Sequence, residues 1–329
     1  MDGSTGAPLV EVSDLSVKFV SREATVHAVN QVSFTARRGE VLCILGESGS
    51  GKSVTLRTLM RLLPRQARIE GDVRVNGRNV LAMRSGELRD LRGGLVAMIF
   101  QEPMTALDPV YTVGQQIGET VRRHTGCDKA AARARALELL ELVRIPSAER
   151  RLDAYPHELS GGLRQRAMIA MALSCNPQLL LADEPTTALD ATVQVQVLIL
   201  LRRLQRELGM GMIFVTHDLG VAAEIADTIA VMYAGRIVEV GPVAQVLRDP
   251  LHPYTAGLLT STVHGQDKGS DIDAIPGSPP DMRRLSPGCS FAPRCSRRTG
   301  TCLGAIPAAQ LLAPDRTVAC VNPKVECLN

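Results

Sequence analysis

The feature that most limits what this chain can fold into is an eight-residue run, Gly46-Glu47-Ser48-Gly49-Ser50-Gly51-Lys52-Ser53. Before it, VLCILG (41–46) is a short continuous apolar segment of the kind that forms a strand buried on both faces; after it, VTLRTLMRLL reads as a helix. Strand, glycine loop and helix in that order fit G-x-x-x-x-G-K-[ST] in the context this motif requires. The glycines let backbone amides converge on phosphate oxygens, and the helix N-terminus adds the positive end of its dipole. Lys52 offers a point charge to β- and γ-phosphates, and the Ser53 hydroxyl can ligate Mg2+. A nucleoside-triphosphate cradle on an α/β scaffold follows.

The rest of the chain is consistent with that scaffold. Residues 9–34 alternate in short segments, as in an antiparallel β-subdomain, and an Ala/Leu/Arg/Glu-rich helix from about Asp128 to Val143 marks a mostly helical insertion over about 105–165. Strand signals resume at LLLAD (179–183), MIFVT (212–216) and TIAVMYAG (228–235), separated by helical stretches, which predicts a parallel core sheet. At 329 residues the chain exceeds the usual single domain. Prolines accumulate after about Val240, so a nucleotide-binding domain over 1–245 and a separate C-terminal unit over 246–329 are expected. The balance of 37 basic against 34 acidic residues gives +3, no footprint for nucleic acid. No run of 18 apolar residues and no secretory leader is legible, so a chain made in the cytosol is expected.

Two further motifs carry chemistry. LLLADEP (179–185) is an apolar strand ending in two carboxylates: Asp183 suits the Mg2+ shell and Glu184 can polarise an attacking water. Leu159-Ser160-Gly161-Gly162 before a helix offers a hydroxyl, glycine amides and a helix N-terminus to an anion, but no lysine and no carboxylate, so it cannot complete a nucleotide site alone.

The order phosphate loop, Gln101, LSGG, LLLADEP, Asp190 and His217 resembles the ATP-binding cassette (ABC) ATPases over residues 9–245. The resemblance implies a P-loop cassette fold in which LSGG closes over ATP held by an opposite subunit. It makes Gln101 the loop glutamine that senses Mg2+, Asp190 the residue that communicates across the dimer and His217 the γ-phosphate contact. It makes Phe19 the ring that stacks on adenine. Two positions depart from common family usage: Leu163 follows LSGG where glutamine is frequent, and Val54, its amide still available to an α-phosphate, follows Ser53 where threonine is common.

Beyond the cassette, His252-Pro253-Tyr254-Thr255 and the segment CSFAPRC (289–295) look like the dipeptide/oligopeptide/nickel importer ATPases. That subfamily implies a second homologous ATPase, two transmembrane permease subunits and an extracytoplasmic substrate-binding protein, with this chain peripheral on the cytoplasmic face of the membrane. HPYT by itself reads as an ordinary turn. Cys289, Cys295, Cys302 and Cys320, interleaved with prolines and Gly300, can gather thiolates for either zinc or a cluster. The subfamily resemblance favours a 4Fe-4S cluster that braces the C-terminal unit, with Cys327 a spare thiol.

Overall fold

The computed structural model describes residues 8–102, 106–187, 189–261 and 275–324. Along the chain the main elements are β1 (Val10–Val20), β2 (Thr25–Ala36), β3 (Val41–Leu45), α1 (Lys52–Leu59), β4 (Ala67–Val75), β5 (Arg78–Asn79) and β6 (Val96–Ile99). They continue as α2 (Val113–Thr125), α3 (Lys129–Leu142), α4 (Gly161–Ala172), β7 (Leu179–Asp183), α5 (Ala191–Glu207), β8 (Gly211–Thr216) and α6 (Leu219–Ile225). The last are β9 (Thr228–Tyr233), β10 (Arg236–Pro242), α7 (Pro253–Thr260), β11 (Gln310–Ala313) and β12 (Arg316–Val318), with shorter helical turns between. The described residues divide into two compact units. One gathers 8–9, 36–40 and 80–214, the other 10–35, 41–79 and 215–324.

The second unit carries the phosphate loop. Its antiparallel sheet runs β2-β1-β4-β5, and strand β4 was not legible in the sequence. In β1 the buried residues are Val10 and Val12, then Leu15 and Val17, so the alternation changes parity once. A bulge between Ser13 and Ser16, with Asp14 at φ 50°, absorbs that step and keeps both apolar pairs on one face. A second set of strands runs β11-β12-β10-β9-β3. Every residue of β3 is buried, and it lies parallel to β9. The sequence predicts only parallel strands for the core, whereas β10 returns antiparallel to β9. The reason is the tight turn Ala234-Gly235, both at positive φ (46° and 76°), a hairpin geometry that excludes a crossover.

Among the described residues the C-terminal region falls in the same compact unit as the phosphate loop. β12 pairs antiparallel with β10 and β11 with β12, so residues 275–324 extend the same unit. Arg316 on β12 pairs with buried Glu239 on β10 at 3.0 Å, and Glu239 also accepts the N–H groups of Leu251 and His252. A buried carboxylate with this many donors costs little to desolvate, which fixes the start of the tail against β10.

In the first unit β8, β7 and β6 lie in that order, β6 parallel to β7. The middle third is helical as the composition predicts. Asp128 caps α3 by accepting the Ala131 N–H at 2.8 Å, and Val143 closes it. Thr112 and Gln115 form a reciprocal capping box on α2. Buried Val197, Leu198, Leu201 and Leu204 give α5 its inner face. Among the described residues no helix is long and apolar enough to cross a membrane.

Candidate active site

The phosphate loop is shaped by close backbone approach. A side chain at Gly46 would collide with the Met232 carbonyl, and one at Gly51, which sits at φ 102°, with the Ala28 carbonyl. Only glycine fits either place. Gly51 is also the N-cap of α1 and, having no side chain, does not itself compete for the first amides of the helix. Ser50 is buried, its N–H donating to the Glu47 carbonyl at 3.2 Å and its carbonyl accepting from Gly235 N–H at 2.9 Å. Ser48 and Gly49 form the exposed tip. Lys52 is 4% exposed, and its ammonium donates to the carbonyls of Gly46 (2.8 Å) and Glu47 (2.9 Å), folding the charge back over the loop. Ser53 and Val54 stand half-buried in the first turn of α1.

Glu47, inside the loop, is also held by the C-terminal region. Its N–H donates to the Tyr254 hydroxyl at 3.1 Å, and its carboxylate receives the Arg294 guanidinium at 3.0 and 3.2 Å. His252 explains the placement of Tyr254: its Nδ1 accepts the Tyr254 N–H at 3.0 Å and caps α7, and burial lowers its pKa to about 4, so the neutral acceptor form persists. HPYT is therefore more than a turn. Nothing in the sequence linked it to the loop, because the contact spans the whole cassette. In the same unit Phe19 lies half-buried on β1 opposite Ala67, and exposed His217 directly follows β8.

The first unit holds the carboxylates and LSGG. Asp183 ends β7 fully buried, and Glu184 follows at φ 46°, a left-handed conformation that is costly for any residue other than glycine. Glu184 accepts from Thr187 Oγ1 at 3.1 Å and from the Gln101 side-chain amide at 3.4 Å, so the structure brings Gln101, two residues past β6, to this carboxylate. Asp190 caps α5 by accepting the Val193 N–H at 3.0 Å. Ser160 caps α4, its hydroxyl accepting the Leu163 N–H at 3.4 Å, with Gly161 exposed beside it. A side chain at Gly162 would meet Val193 Cγ1 at 2.7 Å, so α4 and α5 can approach only through glycine.

Among the described residues no group of three or more His, Cys, Asp or Glu side chains is arranged to hold a metal ion. Cys289, Cys295, Cys302 and Cys320 do line one narrow cavity, with His252 and Phe291. Burial raises the pKa of Cys289, Cys295 and Cys320, so a metal bound there would have to displace their protons. Only Cys302 is lowered, by the Thr299 hydroxyl and N–H, each 3.4 Å from its sulfur. Cys327 lies outside the described residues.

Residues 29–187 match the family described as ABC transporter, and 238–302 match that described as oligopeptide/dipeptide transporter, C-terminal region. A Brucella melitensis protein named as a peptide import ATP-binding protein is 50% identical over 313 residues, covering 91% of this chain and 93% of its own. The chain belongs to the ABC transporter ATPases. The oligopeptide transport ATP-binding protein OppD of Salmonella typhimurium is 48% identical, with 97% and 95% of the two chains covered. In structure, this ABC ATPase superposes on the cassette MJ0796 in a post-hydrolysis state bound to ADP and Pi with TM-score 0.64. The identity there is 29%, over 71% of this chain and 98% of the other.

Proposed function

We propose that this ABC ATPase is the motor subunit of a peptide importer, coupling ATP hydrolysis to uptake of di- or oligopeptides through two separate permease subunits. An extracytoplasmic binding protein would deliver the cargo, a second homologous ATPase would complete a heterodimer, and the chain would sit peripherally on the cytoplasmic face of the membrane. The observation that carries this reading is the pairing of an intact phosphate loop with a match to the oligopeptide/dipeptide transporter C-terminal region at 238–302.

The roles follow from the groups present. The loop from Gly46 to Ser53, with Val54 and the Lys52 ammonium, binds and orients the triphosphate, and Phe19 offers a ring face to the base. Ser53, Gln101 and Asp183 would hold Mg2+, which neutralises phosphate charge. Glu184 takes the proton of the attacking water as its oxygen bonds to the γ-phosphorus, the bond from that phosphorus to the β,γ-bridging oxygen breaks and ADP leaves, and His217 donates a hydrogen bond to the transferred phosphoryl group. Ser160, Gly161 and Gly162 present an anion site to a nucleotide held by the partner ATPase, with Asp190 at the start of α5 beside it in the chain's dimer-facing role.

Cys289, Cys295, Cys302 and Cys320 are proposed as ligands of a metal centre, a 4Fe-4S cluster in preference to zinc. Their gathering at one cavity supports this, and the centre would brace the tail without entering hydrolysis. Anaerobic purification should return about four iron and four sulfide per chain; one zinc would replace the cluster, and four freely alkylated thiols in the folded protein would remove it.

The function is tested in vesicles carrying the complete transporter. ATP hydrolysis stimulated by loaded peptide-binding protein, with labelled peptide accumulating inside, is the expected result. ATP turnover indifferent to any peptide would overturn the cargo assignment while leaving the ATPase intact.

A further inference from the structure

Glu47 is an unexpected residue in a loop that must receive a polyanion, because a carboxylate there repels phosphate. The structure shows what offsets it. Arg294 is carried on the short turn Ala292–Arg294 between Cys289 and Cys295, and its side chain is 7% exposed. One guanidinium nitrogen donates to both Glu47 carboxylate oxygens (3.0 and 3.2 Å) and to the Tyr233 hydroxyl (3.3 Å). The others donate to the carbonyls of Pro276 (2.9 Å) and Ile275 (3.4 Å), and the guanidinium lies 5.8 Å from the Tyr233 ring centroid.

The mount is rigid. Tyr233, Tyr254 and Phe291 pack ring on ring with centroids 4.5 to 5.4 Å apart. The turn is tied by Ala292 N–H to the Cys289 carbonyl (3.0 Å) and by Cys289 N–H to the Cys302 carbonyl (2.8 Å). Tyr254 meanwhile holds the Glu47 N–H from its other end. Glu47 is thus gripped at side chain and backbone by residues of the C-terminal region, and its carbonyl in turn receives Lys52.

We propose that Arg294 is a positioning residue for nucleotide binding: it neutralises Glu47 and anchors it, so that the phosphate loop accepts the triphosphate. This deepens the ATPase reading and rests on it. The electrostatics make the prediction asymmetric. Removing Arg294 leaves an uncompensated anion beside the phosphates, whereas removing the Glu47 charge leaves a cation still solvated by two carbonyls and a phenol hydroxyl. A clamp that served the fold alone would show no such asymmetry in nucleotide affinity.

The test measures equilibrium binding of Mg-ATP to the full chain, with thermal unfolding of the nucleotide-free protein alongside. Arg294→Ala should weaken ATP binding about tenfold, the scale of a lost charge-assisted bond. Adding Glu47→Gln to that variant should recover about half of the loss or more on a logarithmic scale, because the repelling charge is gone. Arg294→Lys, which keeps the charge but not the fork, should fall between. Arg294→Gln, which keeps bulk without charge, serves if the alanine variant does not fold, and is expected to weaken binding as Arg294→Ala does. ATP affinity within about twofold of wild type for Arg294→Ala or Arg294→Gln would overturn the inference, as would a double variant no better than the single. A wild-type chain that fails to bind Mg-ATP would overturn the ATPase reading and this inference together; normal wild-type binding with unaffected Arg294 variants would overturn this inference alone.

Discussion

Two helices of this protein begin in ways that look alike in sequence, and the difference between them is the basis for proposing a partner. Glycine lies at both starts, Gly51 as the N-cap of α1 and Gly161 as the first residue of α4, and both helices present first-turn amides. At α1 the N-cap Gly51 has no side chain to compete for those amides, and Lys52, 4% exposed, brings a charge to the same loop. At α4 the N-cap is Ser160, whose own hydroxyl accepts the Leu163 N–H, and its neighbour Gly161 lies exposed. The first start suits a phosphate, with its cation built in. The second is stable on its own cap and offers a few donors outward, which suits an anion delivered by another subunit.

Hydrolysis belongs to neither helix start, and the largest expected effect tests that. Glu184→Gln should lower turnover of the assembled transporter at least about 100-fold while ATP binding persists, since a general base contributes that much and the amide leaves the loop intact. Wild-type rates from this variant would remove Glu184 as base. Lys52→Ala should act on binding instead, raising the ATP dissociation constant about tenfold or more through loss of a charged donor. Unchanged affinity, measured by calorimetry on the isolated chain, would erase the distinction between the two helices.

The third contrast is at α4. Ser160→Ala removes the cap, so thermal unfolding should show a loss of about 1 kcal/mol. Turnover of the assembly should fall with it, and ATP affinity of the isolated chain should stay close to that of the wild type. Equal losses of affinity from Ser160→Ala and Lys52→Ala would mean that LSGG serves the chain's own nucleotide.

The last contrast concerns the mount behind the loop. Buried His252 has its pKa lowered from 6.5 to about 4, so the unfolded chain binds a proton more readily than the folded one between those values. Its contribution is full above pH 6.5 and is lost as pH falls toward 4. Unfolding by urea at pH 7 and pH 5 should show an acid loss of about 2 kcal/mol in the wild type that is absent in His252→Asn, which keeps an acceptor for Tyr254 N–H without titrating. Identical pH slopes in the two proteins would refute the burial of this imidazole.

Much of the site was legible because its chemistry is local in the chain. A glycine loop between strand and helix, a serine before two glycines and an acid pair closing an apolar strand each state their conformation within about ten residues. The helix expected from Asp128 to Val143 is present with those two residues as its caps, for the same reason. The motif treated Glu47 as one more variable loop position, and HPYT as an ordinary turn. The cysteines were read by type and spacing, which left open whether they met.

The sequence by itself determined the phosphate loop, the acid pair, the cap on α4 and the helical middle of the chain, since short-range sterics and hydrogen bonding decide them. Tertiary structure alone decided that β10 returns antiparallel, that the tail joins the same unit as the loop, and that four cysteines 31 residues apart end to end share one cavity. It also decided that Arg294 meets Glu47 across 247 positions. Such contacts depend on which buried surfaces come together once the whole chain has paid its ordering entropy, and no window of sequence contains both partners.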